Sequence, residues 1–149
     1  MRAVIQRVLE ASVKTGGVEI ARIGRGVLVL LGISSEDSEE DARYLAEKTV
    51  YLRIFPDETD KMSLSVLGIE GEILVVSQFT LYGDCRKGRR PSYSSAARPD
   101  IAQTLYESYV KELLKYTAKV GTGRFQEMME VSLINDGPVT LLMDSRKNF

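Results

Sequence analysis

Residues 3–13 read AVIQRVLEASV, and how this stretch folds decides the architecture. Its odd positions are Ala3, Ile5, Arg7, Leu9, Ala11 and Val13, while the even positions are mostly polar. Successive side chains of a strand point to opposite faces, so the alternation predicts a half-buried β-strand. Arg7 is the single charge in the apolar row. An unpaired buried guanidinium is too costly to retain, so Arg7 either pairs with a carboxylate in a barrel interior or braces a functional loop. Gly16-Gly17 supplies a tight turn, and Val18 to Ile23 is expected to return as the second strand of a hairpin. Val27 to Ile33 is a nearly continuous apolar run, as in a central strand.

Further along, Ser38 with Asp41 three positions on resembles a capping box, and Ala42, Leu45, Ala46, Thr49 and Leu52 keep helical spacing. A helix is expected over about 38–53, stopped by Phe55-Pro56-Asp57. Gly71 to Leu81, GEILVVSQFTL, reads as a strand whose apolar half enters the core. Pro99 at the first helical position and Asp100 in the first turn open a second helix. Its stripe is Ala102, Leu105, Tyr106, Tyr109, Val110 and Leu113, which makes Tyr106 and Tyr109 core or interface residues rather than ligands. Met129, Val131 and Leu133 alternate as a strand, Asn135 to Pro138 interrupts it with a hairpin turn as the default, and Val139 to Met143 resumes. The expectation is an α+β fold in which mixed and antiparallel strands form a barrel-like core packed with two main helices.

Neither repeats nor Pro/Gly/Ser-rich linkers divide the 149 residues, so a single domain over 1–149 is expected. There is no run of the roughly 18 apolar residues that a membrane span needs. The N-terminus lacks a secretory signal pattern, and with one cysteine, Cys85, this points to the cytoplasm. The histidine count is zero, which excludes Ser-His-Asp and Cys-His catalysis and histidine-based zinc sites. With 20 basic and 21 acidic residues, the net charge of −1 gives no overall attraction to nucleic acid or to an anionic membrane.

Three constellations carry chemistry. Ser77-Gln78-Phe79-Thr80 combines two hydroxyls, an amide and consecutive backbone N–H groups at a strand end, the components of an oxyanion-binding site. The alternative is an ordinary strand end with local hydroxyl bonds. Thr80 as a nucleophile needs a base, and without histidine that base is Lys, Asp, Glu or a group on the substrate. Asn135-Asp136-Gly137-Pro138-Val139-Thr140 is either a plain turn or a cis Gly-Pro element presenting two carbonyl oxygens in parallel. Arg86, Lys87, Arg89, Arg90 and Arg98 cluster in the loop from Asp84 to Arg98, with Tyr93 among them. The patch is a solvated face or a phosphate-binding one, balanced by the acidic stretch Glu36 to Asp41 elsewhere on the surface. Cys85 beside Arg86 is a low-pKa thiol or, with no base partner, an incidental residue.

The motifs IQRVLEASV (5–13), VVSQFTL (75–81), RPSYSSAA (90–97), TGRFQEMMEVSL (122–133) and NDGPVT (135–140) resemble the D-aminoacyl-tRNA deacylase family. They occur in order and at matching separations over almost the whole chain. The resemblance implies a homodimeric, cytoplasmic hydrolase that cleaves the ester between a D-amino acid, or glycine, and the 3′-terminal ribose of tRNA. It implies no metal or organic cofactor, and as partners D-aminoacyl-tRNA, glycyl-tRNA and a second copy of the chain, with no membrane and no DNA.

Residue by residue, the resemblance makes Gly137 and Pro138 a cis element that enters the partner subunit's site, captures the substrate amino group and excludes L side chains. Ser77, Gln78, Phe79 and Thr80 line the aminoacyl pocket, with backbone N–H groups near Gln78 and Phe79 binding the carbonyl oxygen. Arg7 braces the Gly-Pro element, and Phe125 and Met129 receive the terminal adenosine. Arg86, Lys87, Arg89 and Arg90 meet acceptor-stem phosphates. Three mechanisms stay distinct: hydrolysis assisted by the terminal 2′-OH of the tRNA, covalent catalysis by Thr80, or a nucleic-acid-binding module without catalysis. The chain without histidine favours the first.

Overall fold

The computed structural model describes all residues from Met1 to Phe149. Strand β1 (Arg2–Thr15) turns at Gly16-Gly17 into β2 (Val18–Ile23), followed by β3 (Gly26–Gly32). Both turn glycines have positive φ, 55° and 79°, as a two-residue hairpin turn of the primed type requires. Helix α1 (Glu39–Tyr51) leads to the short strands β4 (Phe55–Pro56) and β5 (Met62–Leu64), then β6 (Glu72–Ser77) and a 3-10 turn (Phe79–Tyr82). Helix α2 (Pro99–Leu114), β7 (Val120–Thr122) and β8 (Glu130–Asp144) complete the chain.

Six strands form one mixed sheet in the order β2-β1-β3-β6-β7, with β8 on the other edge of β1. β1 is antiparallel to β2, β3 and β8, whereas β3–β6 and β6–β7 are parallel. Each parallel pair needs a crossover, which α1 and α2 supply. A Cβ added to Gly121 of β7 would lie 3.5 Å from Ala21 Cβ of β2, so the two ends of the sheet pack together. The result is the expected α+β architecture, a nearly closed barrel of mixed strands with two helices.

One face of the sheet packs on the helices through a core of 20 buried residues, including Ala3, Ile5, Val29, Leu45, Tyr109 and Leu113. The other face buries seven, among them Val8, Ala11, Val13 and Leu74. This corrects the single apolar row expected of residues 3–13. Register against β8 shifts between Gln6 and Val8 and again between Val8 and Glu10. An extra residue in a strand reverses its alternation, so the odd row leaves the helix-side core, Val8 turns inward and Leu9 is 51% exposed.

Ser38 and Asp41 form the expected capping box, with the Ser38 N–H donating to Asp41 Oδ2 at 2.8 Å. α1 ends at Tyr51, a turn before the Phe55-Pro56 stop. The helices are joined by a buried polar contact: Thr49 Oγ1 donates to the Leu45 carbonyl at 2.8 Å and lies 2.7 Å from the Tyr109 hydroxyl. Thr49→Val leaves that fully buried phenol without a partner. We expect a loss of about 1–3 kcal/mol, measured by urea unfolding, and partial recovery in Thr49→Val/Tyr109→Phe. A single variant as stable as the parent would contradict this account.

Two further expectations are corrected. β6 ends at Ser77 rather than Leu81, because the chain leaves the sheet and coils into the 3-10 turn. Residues 135–138 form no hairpin turn. β8 spans them and pairs with β1 on both sides, from Glu130 opposite Lys14 to Asp144 opposite Arg2.

Candidate active site

At the carboxyl ends of β3 and β6, a mainly apolar cleft of about 670 Å³ opens. Ser77, Gln78 and Phe79 form one wall, and Phe125 and Met129 form another. Tyr93, Ala96 and Ala97 from the loop before α2 complete it. Two parallel strands ending side by side make this a natural crevice, since both chains turn away there. Tyr106 fixes the far wall: its hydroxyl donates to the Val75 carbonyl at 2.8 Å, which also accepts the Gly123 N–H at 2.9 Å. The Tyr106 ring lies 5.9 Å from that of Phe125. Burial raises the Tyr106 phenol well above its ordinary pKa, so it stays protonated and can serve as a fixed donor.

The turn after Ser77 supplies donors. The Gln78 N–H is already committed to the Leu31 carbonyl at 2.8 Å, which corrects its expected part in binding a substrate oxygen. Phe79 and Thr80 open the 3-10 turn, and first-turn N–H groups have no partner within their own helix. Thr80 is not among the residues facing the cleft. Its hydroxyl oxygen accepts from Gln78 Nε2 at 2.5 Å, an NH2 group that can only donate. Phe79 is 58% exposed, its ring held edge-on to Tyr93 at 5.1 Å.

Gly137 and Pro138 do not line this cleft of their own subunit. Their peptide bond is cis, and Gly137 has φ +135°, a conformation that favours glycine. The Asn135 side chain brackets them, accepting from the Val139 N–H at 2.7 Å and donating to Thr140 Oγ1 at 3.0 Å. Arg7 is 9% exposed. Its Nε donates to the Asp136 carbonyl at 2.9 Å and lies 3.3 Å from Asp136 Oδ2, while Nη1 donates to the Ile54 carbonyl at 2.6 Å.

The basic loop is less free than its composition implies. Arg86 is bound to Asp84 through two contacts of 2.9 and 2.7 Å, and this pairing holds the Asp84 carboxyl far below the usual range. Arg86 lines a second, polar cleft of about 820 Å³ together with Glu36, Asp144, Arg2 and Arg146. The acidic stretch therefore begins beside the basic loop rather than elsewhere on the surface. In that cleft Arg2 faces Asp144, and Arg146 faces Glu36. Lys87, Arg89 and Arg90 remain exposed, as does Cys85. Sequence reading missed Tyr93, Leu31 and Glu127 as cleft residues; only the resemblance of 90–97 marked the first.

A chain with this fold and cleft has close relatives. Residues 4–144 match the model of the D-Tyr-tRNA(Tyr) deacylase family. The D-aminoacyl-tRNA deacylases of Syntrophobacter fumaroxidans and Thermosipho africanus are 63% and 61% identical to it, each over the full length of both chains. Among solved structures, a c-Myc DNA unwinding element binding protein superposes with a TM-score of 0.92 at 42% identity, covering 97% of this chain and 98% of that one. A probable eukaryotic D-amino acid tRNA deacylase shares the fold at a TM-score of 0.83 and 18% identity, covering 95% and 97%. Fold and relatives define a hydrolase that acts on the aminoacyl-tRNA ester bond. The chain belongs to the D-aminoacyl-tRNA deacylase family.

Proposed function

We propose that this chain, as one deacylase domain over 1–149, removes D-amino acids and misattached glycine from the 3′-terminal ribose of tRNA. The observation that carries this reading is the donor turn itself. Phe79 and Thr80 present N–H groups beside a cleft that contains no unengaged base, an arrangement suited to stabilising the developing oxyanion of an ester rather than to attacking it. Phe125 and Met129 offer an apolar surface for the terminal adenine, and water is the nucleophile, activated by the adjacent 2′-OH of the ribose. Lys87, Arg89 and Arg90 face the acceptor-stem phosphates, with Arg86 contributing less because Asp84 already neutralises it.

In this reading the enzyme is a cytoplasmic homodimer. Leu9, Ile134 and Leu142 are 51%, 50% and 63% exposed on β1 and β8, an apolar surface that a second subunit would cover. Gly137 and Pro138, absent from their own subunit's cleft, would then reach the partner's. Their carbonyl groups would take the substrate ammonium and leave no room for an L side chain; glycine, with no side chain, would pass. On one tRNA charged with a D- or an L-amino acid, the expected result is hydrolysis of the D form alone. Equal rates, or cleavage of neither, would end this reading. Salt-sensitive binding of uncharged RNA without hydrolysis would instead favour a binding module.

A further inference from the structure

We propose that Gly32, which lies outside the cleft, is a positioning residue for ester hydrolysis because its bare backbone sets where the Phe79 and Thr80 donors sit. β3 and β6 run in parallel up to the pair Leu31 and Ser77. One step further, Gln78 is anchored to β3 through its N–H and the Leu31 carbonyl. The chain then descends across Gly32. A Cβ at that position would lie 2.9 Å from Leu81 Cβ, 3.0 Å from the Gln78 carbonyl oxygen and 3.4 Å from Tyr82 Cδ2. The first two atoms belong to the turn's own frame, so no rotation of a flexible side chain relieves the contact.

The same turn is approached closely from its exit. A Cβ on Gly83 would stand 3.0 Å from the Thr80 carbonyl oxygen and 3.0 Å from the Tyr93 ring. Neither glycine has positive φ, so what each supplies is room rather than an unusual backbone conformation. The turn from Gln78 to Tyr82 is therefore seated on one glycine and followed by another. Donors for a developing oxyanion must be held to within about 0.5 Å. A methyl group at 32 has to move the turn, and the N–H groups move with it.

This inference rests on the deacylase reading, so wild-type enzyme is the first arm of its test. Gly32→Ala is expected to lower kcat on D-aminoacyl-tRNA about tenfold, part of the effect of losing an oxyanion donor outright. KM should change less than about twofold and the D-to-L ratio should hold, because the adenosine wall and Gly137-Pro138 lie on other elements. Gly121→Ala, whose added Cβ would meet atoms no closer than 3.4 Å, is the control and should match wild type. If wild type shows no preference for the D substrate, the site reading fails. If wild type is selective but Gly32→Ala equals it, or KM rises and selectivity falls along with kcat, or Gly121→Ala falls equally, the role of Gly32 is overturned. Should Gly32→Ala lose cooperative thermal unfolding, Gly83→Ala makes the decision: a selective loss of kcat supports the proposal and a wild-type kcat refutes it.

Discussion

A tRNA ending in 2′-deoxyadenosine, with a D-amino acid on its 3′-oxygen, is expected to bind this enzyme almost unchanged and to turn over at least about 100-fold more slowly. The cleft has only two ionisable side chains, Tyr93 and Glu127. Glu127 accepts a 2.7 Å hydrogen bond from Thr15 Oγ1 and faces Arg124 at 3.8 Å, so its carboxylate is engaged. Tyr93 packs its ring edge-on against Phe79. Thr80 meets only the amide of Gln78, which has no basicity to offer. On the proposed reading, proton transfer from the attacking water falls to the substrate, and positioned general-base catalysis contributes about 10²–10⁴-fold. Single-turnover hydrolysis of ribo- and deoxy-terminated substrates at saturating enzyme separates the chemical step from binding. Undiminished turnover of the deoxy form would contradict substrate assistance. Covalent catalysis by Thr80 makes the opposite forecast for Thr80→Ala, which should retain most activity if the ribose supplies the base.

The second large effect is expected at Arg7. Its guanidinium links the carbonyl after α1, at Ile54, to both the carbonyl and the carboxylate of Asp136, next to Gly137. Removing one partner from a buried charged pair costs about 3–5 kcal/mol, and because Asp136 keeps 29% exposure the lower end applies to Arg7→Met. Arg7→Lys is the informative variant. An ammonium keeps the charge but lacks the planar fork that spans Ile54 and Asp136 together. The protein should fold, while the D-to-L ratio of kcat/KM should fall about tenfold, a loss of about 1.4 kcal/mol in discrimination. An Arg7→Lys enzyme as selective as wild type would show that Arg7 has no part in discriminating D from L substrates.

Much of the fold is legible in short-range pattern. Gly16-Gly17 sits between two runs of strand residues, and Pro99 opens a helix whose Leu105, Tyr106, Tyr109 and Leu113 are all buried as their spacing predicts. What escaped the sequence depends on partners distant in the chain. The face reversal of β1 at Arg7–Leu9 exists because β8 lies alongside with a shifted register, and no local periodicity records that. Gly137-Pro138 looks like a reversal signal, yet the strand departs from β1 there, with residues 136–139 unpaired, and then resumes its ladder at Thr140. In the site, the residue types of 77–80 suggested backbone donors at a strand end, and the chain there coils into a 3-10 turn. Which N–H is free is a tertiary matter, decided when the Leu31 carbonyl captures Gln78.

The long β1–β8 ladder also governs the order of assembly. Its pairs join Arg2 to Asp144 and Lys14 to Glu130, over 100 residues apart along the chain. Closing so large a loop must precede the hydrogen bonds that reward it, which places this protein among slow folders dominated by non-local contacts. Until β8 has been synthesised and docked, β1 has one open backbone edge 14 residues long. An open edge of that length is a template for pairing with other extended chains. The edge of β1 is closed by two stretches of β8, 130–135 and 140–144, and Gly137 and Pro138 lie in the unpaired span between them.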